Sequence, residues 1–228
     1  MSPNLLAIDT SAQICSIALA YEGQITCSHH VVERQQASLI LPLITQLLAQ
    51  AGAELKQLQA IAFSAGPGSF TGIRLAASVV QGLAFGLNIP VLPISSLQVL
   101  AQGAYLDLQA KNVLVAVNAY GEEIYWGVYQ LGQSDLMRAV MDDQRCRPQD
   151  IKISMAGPWI GVGDGWALYS NPLHQQVIDI QEVFPSRLPR ALEVLSLAQW
   201  QFLQGNLLTA NQALPIYLYP AEKWRKSS

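Results

Sequence analysis

Hydrophobic and polar positions at the start of the chain fall into three strand-length runs, Leu5–Asp9, Ile14–Tyr21 and Gln24–Val32, the last two meeting at Glu22-Gly23. They predict an antiparallel meander. A helix-patterned stretch, Ser38–Gln50, follows, with Ser38 placed to cap its start and Pro42 close enough to that start to be tolerated or to bend it. Next come an apolar strand, Ala60–Ser64, the glycine-rich segment Gly66-Pro-Gly-Ser-Phe-Thr-Gly-Ile-Arg74, an apolar helix-like run, Ile73–Leu87, and a strand, Val91–Ile94. Strands that give way to alternating helices and strands imply a mixed sheet covered by helices.

The pattern restarts halfway. Laid without gaps over Leu5–Gly23, Leu114–Gly132 puts Val117-Asn118-Ala119 on Ile8-Asp9-Thr10 and the Ile124–Val128 strand on Cys15–Leu19. Such self-similarity predicts a duplicated unit. Two lobes that each open on a meander and continue into helix and strand are the organisation of the actin-like, sugar-kinase and heat-shock ATPase class (ASKHA, ribonuclease H-like). The expected fold is therefore α/β and two-lobed, with mixed sheets covered by helices. Its lobes are expected at 1–106 and 107–228, with the boundary near Gly103–Lys111.

Charge changes the picture of the apolar middle. From Gln57 to Leu106 the only charged residue is Arg74, and only 13% of the whole chain is charged, about half the usual share. A helix apolar all round must be buried in a core, a membrane or a partner. Ile73–Leu87 falls short of the ~20 residues of a bilayer span and carries Ser78, Gln81, Gly82 and Gly86. Ser78, Gly82 and Gly86 recur every four residues, as do Gly72 and Ala76, so a second helix could approach closely. Two readings stay open: packing within one domain, or burial against another polypeptide. Net charge of −3 without a long basic run argues against direct grip on nucleic acid. The basic tail Lys223-Trp-Arg-Lys226 reads as a solvated terminus. Three cysteines without Cys-x-x-Cys spacing, and a start without the features of a secretion signal, point to a cytosolic protein with reduced thiols. Cys15 and Cys27 read as small buried hydrophobes.

Candidate chemistry is sparse. Gly72 is followed by Ile73-Arg74 and not by Lys-Ser/Thr, which argues against Walker-type NTPase activity. The glycine spacing and the lack of an acid before Asp107 argue against a dinucleotide fingerprint. His29 and His30 are neighbours in a strand and point to opposite faces, so a joint metal site is not expected, and no Gly-x-Ser-x-Gly elbow is present. Asp9, with Thr10 and Ser11, is the best acidic candidate. It either closes an Asx-turn or makes a weak nucleotide or interface contact. Arg74, the single charge in its segment, either clamps a loop or contacts a partner.

Taken together, Ala7-Ile-Asp-Thr10, the nine-residue loop Gly66–Arg74, Gln81-Gly-Leu-Ala84, Glu123-Ile-Tyr-Trp126 and Pro215-Ile-Tyr217 resemble the TsaB (YeaZ) family across nearly the whole chain. This family is the noncatalytic subunit of the bacterial complex that makes threonylcarbamoyladenosine in tRNA. The resemblance implies an actin-like fold, no catalytic residues and no metal of its own. It implies a TsaD-like catalytic partner, a TsaE-like ATPase in the assembly, a homodimer when alone, and contact with tRNA only through the complex. It implies no tightly bound cofactor, with room for ADP or ATP and magnesium at a subunit interface. The pairing face expected from it comprises Leu41, Leu43, Ile44, Leu47, Gly72, Arg74, Ala76, Val79, Val80 and Leu83. This chain departs from the family at Asn118-Ala119-Tyr120, where relatives carry Asp-Ala-Arg, leaving Glu123 as the charge there. A self-sufficient actin-like ATPase or small-molecule kinase is the alternative, and a dinucleotide oxidoreductase ranks third.

Overall fold

The computed structural model describes residues 2–153, 155, 157–177 and 179–218. The tail Lys223–Lys226 lies outside them. The chain divides into two compact units. One comprises the residues up to Val99 with Pro189–Ile216, and the other Leu100–Leu188 with the described residues from Tyr217.

In the first unit, β1 (Leu5–Asp9), β2 (Ile14–Tyr21) and β3 (Gln24–Val31) form the expected meander. Then come α1 (Gln36–Ala51), β4 (Ala60–Gly66), α2 (Phe70–Leu87) and β5 (Val91–Ser95). The sheet order is β3-β2-β1-β4-β5, with β1, β4 and β5 parallel. Leu6, Ile8, Ile17, Leu19, Ile61 and Phe63 turn to α1 and α2. Alternate residues of β1 turn the other way, to α6 (Ala191–Leu203), which packs across β1, β2, β4 and β5.

The second unit holds β6 (Asn112–Asn118), β7 (Ile124–Leu131), the short β8 (Met137–Ala139) and β9 (Gln144–Cys146), then β10 (Trp159–Val162), α4 (Gly165–Leu168), α5 (Ser170–Gln176) and β11 (Ile180–Phe184). The helix α3 (Ser96–Leu108) leads into it. Its sheet runs β11-β10-β6-β7-β8, with β9 also on β7. Read from β8, this is the order of the first sheet, with the same parallel and antiparallel neighbours. Trp126, Trp159 and Trp166 fill its core.

Four expectations need correction. The division at residue 106 misses the return of α6 to the first sheet, whose second face would otherwise lie bare. The gapless repeat slips by one residue in its second strand: Asp9 pairs with Ser16 but Asn118 with Ile124, so the stretch between the paired residues is one residue shorter in the second hairpin. Ser38 is not a cap, since α1 starts at Gln36 and the Ser38 hydroxyl donates to the Gln35 carbonyl within the first turn. Cys27 is exposed, because β3 is an edge strand.

Candidate functional site

The β1–β2 loop and the start of α2 are built into each other. Ser69 caps α2, accepting from Gly72 N, and its own amide donates to the Ser11 carbonyl at 2.8 Å. Thr10 Oγ1 donates to the Gly72 carbonyl at 2.7 Å. A Cβ on Gly72 would stand 1.8 Å from Thr10 O, and one on Gly68 2.5 Å from Ser11 O. These glycines therefore serve backbone contact within the protein. Two amides at the helix start, those of Ser69 and Gly72, are thus turned to the chain's own oxygens.

Asp9, Thr10 and Ser11 are all buried. Asp9 Oδ1 accepts from Ser11 N at 2.8 Å and from Ser11 Oγ at 2.7 Å, the bonding of an Asx-turn. Burial pushes the Asp9 carboxyl up to about 6, against the pull of the Ser11 bonds and the Ser64 hydroxyl, while the charge of Glu193 adds a smaller upward push.

The residues expected on a pairing face separate into two groups. Leu43, Ile44, Leu47, Gly72, Ala76 and Val80 are buried in the first unit's own core. On α2 the row Gly72-Ala76-Val80-Ala84 lies against the sheet, so these positions cannot line an outer surface. Val79 and Leu83 are half-buried against that core. Leu41, 51% exposed, and Arg74 face outward. The outer row of α2 is Phe70, Arg74, Ser78, Gly82 and Gly86, joined by Phe85 at 73% exposure. The Arg74 guanidinium lies 3.5 Å from the centroid of the Phe70 ring. Among the described residues no heavy atom comes within 4 Å of a Cβ built on Gly82 or Gly86, so no described packing requires glycine there. The outward positions of α1, including Ala37, Leu41, Thr45, Gln46 and Ala49, carry no charge at all. At 18 residues α2 is longer than expected and apolar enough to span a bilayer by length and composition alone, but one side of it is packed on β4. Beside its C-terminal end runs a groove of about 600 Å³, lined by Phe85, Asn88, Pro90, Leu208 and Asn211 among other uncharged residues.

The second unit repeats the first unit's junction. Asn118 Oδ1 accepts from Tyr120 N at 3.1 Å, as Asp9 does from Ser11, and Asn118 N donates to Asp164 Oδ1 at 2.9 Å. Cβ atoms on Gly163 and Gly165 would come within 2.3 and 2.9 Å of Ala116 O. Gly161-Val-Gly-Asp-Gly165 is thus the counterpart of the Gly66–Gly72 loop. Sequence reasoning passed over it, although its closely spaced glycines after a strand were the available signal. Tyr120, in the place of the family's arginine, is 76% exposed with φ +60°. Glu123 is paired with Arg145 at 2.7 Å. His29 and His30 stand opposite Ser16 and Cys15 on the exposed edge strand.

A family model described as TsaD, tRNA N6-adenosine threonylcarbamoyltransferase, matches residues 28–223. The chain is 40% identical to the tRNA threonylcarbamoyladenosine biosynthesis protein TsaB of Haemophilus influenzae, over 97% of this chain and 96% of that protein. It is 32% identical to TsaB of Escherichia coli, over 97% of both. The solved structure of YeaZ from Pseudomonas aeruginosa superposes with a TM-score of 0.89 at 41% identity, covering 95% of this chain and all of that one. The two repeated sheets, the interlocked glycine loops and these relatives place the chain in the TsaB (YeaZ) family of tRNA threonylcarbamoyladenosine biosynthesis proteins, with its actin-like fold.

Proposed function

We propose that this chain is a cytoplasmic, noncatalytic subunit that pairs with a TsaD-like transferase through the outer faces of α1 and α2 and supports threonylcarbamoylation of adenosine next to the anticodon in tRNA. One observation carries the reading: across two full helices the outward surface bears one charge, Arg74, and glycines that internal packing does not require. Surfaces of that kind are disfavoured in water and suited to close approach of another helix. The noncatalytic role is supported by Asp9, which is sealed from solvent and bonded to Ser11, and by its counterpart Asn118, which carries no charge. A TsaE-like ATPase would join through the assembly, and tRNA would be met only there. No cofactor would bind the chain tightly, with ADP or ATP and magnesium confined to a subunit boundary. Without its partner, the same face would join two copies of this chain.

Light scattering on a sizing column tests the reading. The expected result is a dimer for the chain alone and a one-to-one complex with its TsaD-like protein, both weakened by Gly82→Glu or Ser78→Glu. Glutamate at Val79 or Leu83 would test folding instead, since both side chains touch the core. A chain that stays monomeric in both runs would overturn the reading.

A further inference from the structure

Two carboxylates lie inside the first unit, on facing elements. Asp9 ends β1 at 0% exposure, and Glu193 lies in the first turn of α6 at 1%. Arg190 serves Glu193, donating from Nε to Oε1 at 2.7 Å and again from Nη2. Among the described residues no such cation serves Asp9. Its Oδ1 holds Ser11, while its buried Oδ2 accepts no hydrogen bond of normal geometry, although the Ser64 hydroxyl, itself bonded to Ser96 Oγ at 2.9 Å, is near enough to favour the charged form. The ionisable groups on the elements packed against Asp9 are few. Cys15 and Tyr21 lie on β2, with the Cys15 thiol pushed up to about 11 by burial and then by Asp9 itself. Glu193, with Arg190 just before it, comes from α6, β4 has none, and Arg74 of α2 faces outward.

We propose that Asp9 is a proton-operated latch: in the folded protein it takes up and releases a proton at Oδ2, and release tightens its hold on Ser11, and through Ser11 on the start of α2, at the expense of α6 packing. The proton exchanges with solvent, and no other bond is made or broken. Ionised, Asp9 accepts two charge-assisted hydrogen bonds from Ser11, whose carbonyl holds Ser69 N–H. The same charge sets a second carboxylate against Glu193 in a place that water does not reach. Protonated, Oδ2 becomes a donor and the repulsion is gone. The latch would matter for pairing through its effect on α2, which rests on the reading above, but it can be tested without any partner.

The sign follows from the carboxyl's value of about 6 in the fold against 3.8 for the free group. The folded state binds this proton more tightly, so its contribution to stability is full below pH ~4, declines as pH rises through 6, and is absent above that. Asp9→Asn carries no such proton. Urea unfolding of the whole chain from pH 4 to pH 7.5 should therefore show the folding constant of Asp9→Asn gaining on the wild type by roughly a hundredfold. Carbon-13 NMR should place the Asp9 carboxyl midpoint well above the ordinary range, and Glu193→Gln should lower it. Exchange of the Ser69 amide, corrected for its intrinsic pH dependence, should slow as Asp9 ionises, and should not in Asp9→Asn. Parallel stability profiles, an ordinary Asp9 midpoint, or Ser69 exchange indifferent to Asp9 would each overturn the latch. If Glu193→Gln does not fold, the wild-type carboxyl titration and Ser69 exchange still decide. A failure to dimerise would leave all of these readouts unchanged and would count against the pairing reading alone.

Discussion

Thr10 and Gly72, far apart in sequence, are locked together twice: the Thr10 hydroxyl donates to the Gly72 carbonyl at 2.7 Å, and the Thr10 carbonyl occupies the place where a Gly72 side chain would begin. At 1.8 Å from a backbone oxygen, a methyl group cannot be accommodated by a rotamer change. Gly72→Ala should thus cost ~3 kcal/mol or more, near the top of the overpacking range. Urea unfolding would measure it, and a loss under 1 kcal/mol would mean that α2 is not keyed to the β1–β2 loop in this way.

Gly82 and Gly86 should behave in the opposite sense. Both are exposed, and both lie in the body of a helix, where alanine is favoured over glycine by ~1 kcal/mol. Gly82→Ala should raise the stability of the isolated unit while weakening association, a combination that only a helix-approach surface produces. Unfolding at a protein concentration low enough to suppress association, together with sedimentation, separates the two effects. Higher stability with unchanged association would mean that the row is not used for pairing.

The three thiols should react in a fixed order. Cys27 is exposed, whereas burial pushes both Cys146 and Cys15 up to about 11, with Asp150 and Glu123 adding to it for Cys146. Iodoacetamide at pH 8 should modify Cys27 first, Cys146 more slowly, and Cys15 only when the first unit opens. Peptide mass spectrometry over a time course checks this, and Cys15 labelling as fast as Cys27 would contradict the burial of β2.

Trp166 fixes the second unit's centre. Its Nε1 donates to the Leu114 carbonyl at 3.2 Å, and its ring lies 6.1 Å from that of Trp126. The five-membered ring of its indole also crowds Gly161, where a Cβ would come within 2.8 Å. Trp166→Ala should cost ~3–5 kcal/mol. If unfolding is not two-state, the loss should be confined to the transition that reports Trp126 fluorescence.

Much of this was legible in the sequence, and the failures have physical causes. Strands β1 to β5 announce themselves through apolar runs bounded by turn residues, and the repeat at Leu114 is visible despite different side chains because both copies obey the same sheet order. The inner and outer rows of α2 were not separable. Gly72-Ala76 and Ser78-Gly82-Gly86 are both rows of small residues on a helix that is apolar all round, so composition carries no directional signal, and only the register against β4 assigns one row to the core. The same limit applies to α1, where Leu43, Ile44 and Leu47 sit beside outward Leu41. The one-residue slip in the second hairpin was hidden because Ile124, Tyr125 and Trp126 are all apolar or aromatic and tolerate either alignment. Burial of Asp9 could not be read from Ala7-Ile-Asp-Thr10, because the helix packed on β1, α6, arrives from the far end of the chain.

That late arrival bears on how the protein is made. A ribosome finishes β1 to β5 early, but the surface of that sheet meant for α6 must wait until Ala191–Leu203 emerges. The intervening segment, Leu100–Leu188, belongs to the other unit and can finish first. At bacterial elongation speeds the wait is on the order of 10 s. During it, Leu5, Ala7 and their neighbours stand uncovered, with Asp9 among them and still open to water. Until α6 is made, the first sheet therefore keeps one apolar face open, and only the last-formed helix of the unit closes it over Asp9.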